Sequence, residues 1–109
     1  MKILRFKHGG IPCAFPHARV RRVASAPDGP SATLWPALPS EEATRWVEID
    51  AKTGGAWISC SDLRVEELGA PQPLPALVSG LIGVAHVVGW ARFDDEVVWL
   101  VDPARLELA

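Results

Sequence analysis

The last quarter of the chain does most to limit what it can fold into. From Val84 to Leu106 two apolar stretches rich in Val and Trp are joined at Asp94-Asp95 and closed by Asp102-Pro103. Val and Trp favour a pleated, half-buried surface, and paired Asp tolerates turn geometry. Asp followed by Pro supplies a capping side chain and a preset first helical residue. The segment predicts a β-hairpin that ends in a short helical turn. It offers no evident catalytic group, so function has to be sought on surfaces.

The rest of the chain is punctuated in the same way. Ile3 to Phe6 predicts a first strand with Ile3 and Arg5 on one face and Leu4 and Phe6 on the other. His8-Gly9-Gly10 predicts a hairpin turn, because paired Gly accepts positive φ. Ile11 to Phe15 is the returning strand, with Pro12 at its start or on an edge. Pro16 opens His17 to Val23, where Val20 and Val23, three apart, suit one face of a single helical turn. From Ala24 to Ser40 the composition shifts to Pro, Ser, Ala and Gly, which predicts a connecting loop that Leu34 and Trp35 pin to the body. Thr44 to Asp50 and Ala56 to Ser61 predict strands about Lys52-Thr53-Gly54-Gly55. Leu63, Val65 and Leu68 continue as a short strand, with a helical turn at Glu66-Glu67 as the alternative. Gly69 to Pro75 is a second Pro-rich connector. The sum is mostly β, a small barrel or sandwich.

A chain of 109 residues is one domain. Its net charge of −2 gives no electrostatic footprint for a polyanion, which argues against nucleic acid or an anionic membrane as main partner. Cys13 and Cys60 are too few and too far apart for a disulfide framework or a zinc knuckle, so reduced thiols in the cytoplasm are expected. Met1 to Lys7 alternates charged and apolar residues, unlike a secretory signal, and no stretch is long and apolar enough to insert into a bilayer.

Candidate chemistry is sparse. His8, His17 and His86 fall on separate elements, and Cys13 and Cys60 sit among apolar neighbours as small core residues. Neither His nor Cys has metal-ligand spacing, and the Gly pairs lack the context of a phosphate loop. The carboxylates cluster at turns. No catalytic, cofactor-binding or metal residue is assigned. The one charge concentration is Arg19, Arg21 and Arg22. It reads either as a solvated helical face or as an acid-seeking rim around Val20 and Val23. Five Trp are spread along the chain. Most are expected in the core or half-buried, with Trp also enriched at interaction hot spots.

Three blocks in order resemble the CheW-like coupling domain of bacterial chemosensory pathways. Phe6 to Pro16 followed by Val20 and Val23 is similar to that family's opening of strand, Gly turn, Pro-bearing strand and valine-spaced turn. Thr44 to Leu68 resembles its middle strands, with Asp62 and Val65 at matching places. Gly83 to Leu106 resembles its closing hairpin and Asp-Pro-x-x-Leu end. The resemblance implies SH3-like β-barrel subdomains that bind proteins and catalyse nothing, linking methyl-accepting chemoreceptors to a CheA-type histidine kinase.

The sequence departs from that pattern between Val23 and Thr44, where a Pro-rich linker replaces family strands. The expected layout is a truncated first subdomain beginning at 1–23, a linker at 24–43, and a second subdomain with the closing hairpin at 44–109. The missing strands belong to the part that meets the kinase, which puts kinase coupling in doubt and leaves a receptor-facing groove. Arg22 also stands where the family commonly has an acidic residue. The expected protein-binding positions are Val20, Val23, Trp57 and Ile58, exposed and rimmed by Arg22. Val20→Asp or Trp57→Ala is expected to abolish receptor binding while the thermal melt stays cooperative. Unpaired strand edges leave a homodimer open. The alternative function is a small β-barrel that regulates or binds a small molecule.

Overall fold

The computed structural model describes residues 1–32, 34, 45–51, 54–69, 72–73, 86–93 and 96–106. Turn chemistry sets the first hairpin. Gly9 and Gly10 hold φ of 60° and 79°, the left-handed conformation that both central residues of a two-residue hairpin turn require. They join β1 (Lys2–His8) to β2 (Ile11–Pro16), with His8 opposite Ile11 and Ile3 opposite Pro16. On its other side β2 meets β8 (Glu96–Val101) in parallel, at Cys13 opposite Trp99 and Ala14 opposite Leu100. Pro12 lies just before that ladder, where its missing N–H leaves no gap.

A 3-10 turn at His17–Arg19 leads into β3 (Val20–Ala24), which lies antiparallel to β4 (Arg45–Ala51). The helical turn expected over 17–23 is thus confined to three residues, and both valines belong to a strand. β4 returns into β5 (Gly54–Glu67), with Ala51 opposite Gly54. The first half of β5 pairs with β4 and the second half with β1. One continuous strand therefore replaces the separate strand expected at Leu63 to Leu68 and the helical alternative at Glu66-Glu67.

The step between the two halves falls at Asp62, whose φ is 52°, where the β1–β5 register shifts between Arg5 and Lys7. Asp enters this left-handed region more readily than most residues, and branched side chains do so least. Asp62→Gly is expected to stay within about 0.5 kcal/mol of the native protein in urea denaturation, and Asp62→Val to lose about 1–2 kcal/mol. The exposed Lys7–Asp62 pair, at 3.7 Å, adds little to either change.

The closing hairpin is as the sequence predicts. β7 (Val87–Phe93) pairs with β8, Trp90 opposite Trp99, and β6 (Gln72–Pro73) adds two residues against β7. The Asp94-Asp95 turn, residues 33 and 35–43 of the first connector with Trp35 among them, and residues 70–71 and 74–75 of the second lie outside the described residues. Asp102 accepts from the Ala104 N–H at 3.0 Å and caps a 3-10 turn at Pro103–Arg105. The described strands run in the order β3-β4-β5-β1-β2-β8-β7-β6. The fold is mostly β, as expected.

Because side chains alternate along a strand, the central strands feed two cores. Leu4, Phe6, Cys13 and Phe15 join Val47, Ile49, Ile58, Cys60 and Val101 on one face. Ile3 and Ala14 join Ala91, Val98 and Leu100 on the other. The two faces assigned to β1 from sequence are therefore both used. Leu34 is fully buried in the first core, so this member of the Pro-rich segment does pin it to the body. Among the described residues no helix is long and apolar enough to cross a membrane.

Candidate protein-binding surface

The five positions expected to form one exposed surface are distributed over both faces of the sheet. On β3, Val20 is opposite Ile49 and Val23 opposite Val47. Ile49 and Val47 are two apart on β4 and both lie in the first core, so the two valines face inward together. A β-bulge between Val20 and Arg22 makes this so, since it inserts one extra residue and restores the face. The shared face inferred from the spacing of three is real, but a bulged strand produces it, not a helix. Val20 packs partly against the core, and Val23, 47% exposed, stands at its open margin.

Arg22 points the other way. It is opposite Glu48, which is opposite Trp57, giving a row across β3, β4 and β5 on the outer face. The Arg22 guanidinium carbon lies 4.9 Å from the Trp57 ring centroid, within cation–π range. Its terminal nitrogen donates to both Asp28 carboxylate oxygens at 2.7 Å, and its Nε donates to Glu48 at 3.1 Å. The Trp57 indole N–H donates to Asp28 Oδ1 at 3.1 Å. Asp28 is thereby held below the usual carboxylate range, mainly by the bond from Arg22. Neighbouring Arg21 donates to Asp50. The basic cluster is thus largely neutralised by carboxylates on its own sheet and loop.

This arrangement overturns the expected exposure of Trp57 and Ile58. Trp57 is 1% exposed and Ile58 is wholly buried. The loop through Asp28 and Pro30 lies over Trp57: the Trp57 N–H donates to Pro30 O at 2.9 Å, and the Ala32 N–H donates to Trp57 O at 3.0 Å. A partner cannot reach Trp57 without lifting that loop, and Ile58 faces the first core on the other side of the strand. Of the expected positions, Val20, Val23 and Arg22 retain accessible surface.

The groove that sequence reasoning missed is on the second core's face. A hollow of about 440 Å³ opens at one end of that face, lined by Ile3, Ala14, Pro16, Val88 and Leu100, with Arg19 and Asp102 alongside. The opposite end is closed by Arg5, which is largely buried. It bonds Glu66 at 3.1 Å and Glu96 at 2.8 Å, and its guanidinium lies 4.7 Å from the Phe93 centroid. The available signal was the assignment of Ile3 and Leu4 to opposite faces of one strand, since two apolar faces require two coverings. Val88, 38% exposed, is the most open apolar side chain of the groove's β7 wall.

The reactive residue types are otherwise occupied. Burial pushes the Cys13 thiol well up and the Cys60 thiol to about 12, so neither supplies a thiolate near neutral pH. His8 and His86 both bond the backbone of Leu34. Among the described residues no three His, Cys, Asp or Glu side chains gather in a way that could hold a metal ion.

No family model matches the sequence, and no curated relative does. Among solved structures the chain is similar to the scaffolding protein TtCheW from Thermoanaerobacter tengcongensis, with a TM-score of 0.58 and 16% identity over 92% of this chain and 87% of that one. At that identity the likeness bears on architecture: this chain has a mostly β, CheW-like fold.

Proposed function

We propose that the protein is a non-enzymatic adaptor of a bacterial chemosensory pathway, working in the cytoplasm, that binds the helical tip of a methyl-accepting chemoreceptor. The observation that carries this reading is the likeness to a scaffolding protein over 92% of the chain. An apolar helix face seats naturally in an apolar groove, and the hollow beside Val88 and Leu100 has that character. Val20 follows Arg19 of the groove in sequence and opens β3, whose exposed margin carries Val23 and Arg22 as the second part of the proposed surface. In the sequence pattern the 24–43 segment stands where such adaptors have the strands that meet a CheA-type kinase, and on that ground we read the chain as a shortened adaptor of the kind FrzB represents in the Frizzy motility pathway. In this reading 1–23 is the start of the first subdomain, and 44–109 holds the second subdomain with the closing hairpin.

Calorimetric titration with a cytoplasmic chemoreceptor fragment and, separately, with the kinase regulatory domain tests this. Binding to the receptor alone is expected, and binding to neither would overturn the adaptor reading. Val88→Glu and Val23→Asp alter exposed side chains, so each should leave the melting temperature within a few degrees while weakening receptor binding about tenfold or more, roughly 1.4 kcal/mol. Unchanged affinity in both variants would remove the groove and the β3 margin as the binding surface.

A second reading is favoured by one observation: the hollow's volume, about 440 Å³, falls in the range of small-molecule sites, roughly 300–1,000 Å³. A regulatory ligand would there compete with the receptor helix.

A further inference from the structure

The backbone of Leu34 is held on both sides by histidine side chains distant in sequence. Its N–H donates to His8 Nε2 at 3.2 Å, and its carbonyl accepts from His86 Nε2 at 2.8 Å. His8 Nδ1 lies 2.7 Å from the carbonyl oxygen of Ser59. A carbonyl can only accept and an N–H can only donate. Nδ1 of His8 therefore carries the proton and Nε2 is bare, so two backbone groups of opposite polarity fix the ring as one neutral tautomer.

The two histidines respond differently to acid. His86 donates through Nε2, a role that a neutral or a cationic ring performs equally. His8 accepts through Nε2, a role that only the neutral ring performs. A proton placed there would set a donor against the Leu34 N–H inside the core, where an unsatisfied backbone donor is costly. We infer that His8 is a proton-operated latch: neutral, it keeps Leu34 in the core, and protonated at Nε2 it releases the Leu34 backbone and draws that side chain out.

The surroundings support the neutral ring. Among the described residues the titratable groups facing His8 are the Cys13 thiol on β2, which bonds the His8 backbone, and Cys60 beside Ser59 on β5, with the His86 ring across Leu34. The Ser59 hydroxyl lies 3.4 Å from Nδ1. Burial lowers the proton affinity of His8 below its ordinary 6.5, offset in part by the Ser59 carbonyl. A lowered value means that the folded state binds fewer protons than the unfolded chain. The stability this contributes is complete above 6.5 and is lost as pH falls through the folded value.

The test is made on the full chain labelled with nitrogen-15, following the His8 ring nitrogens and the exchange of the Leu34 amide as pH is lowered from about 8 to about 5. The expected result is a bare Nε2 at neutral pH, then loss of Leu34 amide protection with the midpoint of the His8 titration, while the β1–β2 amides stay protected. An Nε2–H tautomer at neutral pH, or a Leu34 amide protected throughout the titration of His8, would overturn the latch. His8→Gln supplies an acceptor that does not titrate, so its Leu34 amide should remain protected in acid. The same acid-induced loss in that variant would also overturn it. If His8→Gln does not fold, the native titration decides.

Discussion

Trp57→Ala is expected to destabilise the protein by about 3–5 kcal/mol, the range for deleting a fully buried aromatic side chain. Trp57 is 1% exposed and lies where three separate interactions converge. Its ring carries the Arg22 guanidinium, its indole N–H bonds Asp28, and its backbone holds Pro30 and Ala32. Deleting the ring leaves a cavity and removes the platform on which Arg22 and Asp28 are arranged. The Arg22–Asp28 pair is more than half exposed on both sides, so on its own it holds the loop weakly. For a domain whose whole stability is about 5–15 kcal/mol, a loss of this size partly unfolds the chain at moderate temperature. A loss of binding in this variant would then report unfolded protein, not a missing contact. The expectation drawn from sequence is that the variant keeps a cooperative melt and loses binding; the buried position adds a large loss of stability to that. Trp57→Phe separates the contributions: it restores most of the packing, lacks the indole N–H, and should cost about 1 kcal/mol for that bond plus a smaller packing loss. Urea denaturation of both variants checks this. A cost below about 1 kcal/mol for Trp57→Ala would mean that the Asp28–Pro30 loop leaves Trp57 open in solution.

The misplacement of Trp57 has a physical cause that the sequence contained. Ala56, Trp57 and Ile58 form an uninterrupted apolar run, and in a strand such a run means burial on both faces. Ile58 is covered by the first core and Trp57 by the loop, and only the second covering was invisible, since it depends on Asp28 and Pro30 from far upstream. Turns were legible because their chemistry is local: Gly9-Gly10 needs positive φ, and Asp102-Pro103 caps and starts a 3-10 turn. β3 was not, because two valines three residues apart fit a helical face and a bulged strand equally, and pairing with β4 decides between them. In expectation β5 was divided into one strand ending at Ser61 and another from Leu63. The left-handed Asp62 instead redirects one strand from β4 to β1. The roles of His8 and His86 could not be read at all, since each is defined by a main-chain partner, not by another side chain.

Phe15→Ala should cost a comparable amount, about 3–5 kcal/mol, and should damage the candidate groove as well. Phe15 is wholly buried in the first core, its ring centroid 4.9 Å from that of Phe6 at an interplanar angle of 36°. That tilted geometry is among the favoured arrangements for aromatic pairs. Its neighbours Ala14 and Pro16 line the hollow beside Val88, so the strand that packs the Phe15 ring into the first core also forms the groove wall. A double-mutant cycle of Phe6→Leu and Phe15→Leu isolates the ring contact, with an expected coupling of about 0.5–1.5 kcal/mol. Binding then distinguishes core from surface. On the proposed adaptor function, Phe15→Leu leaves Ala14 and Pro16 in the wall and should bind a receptor fragment with nearly native affinity below its own melting temperature. Val88→Glu should melt near the native temperature and bind poorly. If Phe15→Leu, still folded, lost binding to the same degree as Val88→Glu, the groove would depend on the shape of its inner wall more than on the apolar character of its rim. The contact would then have to be sought nearer Ala14 and Pro16 than on the outer side of β7.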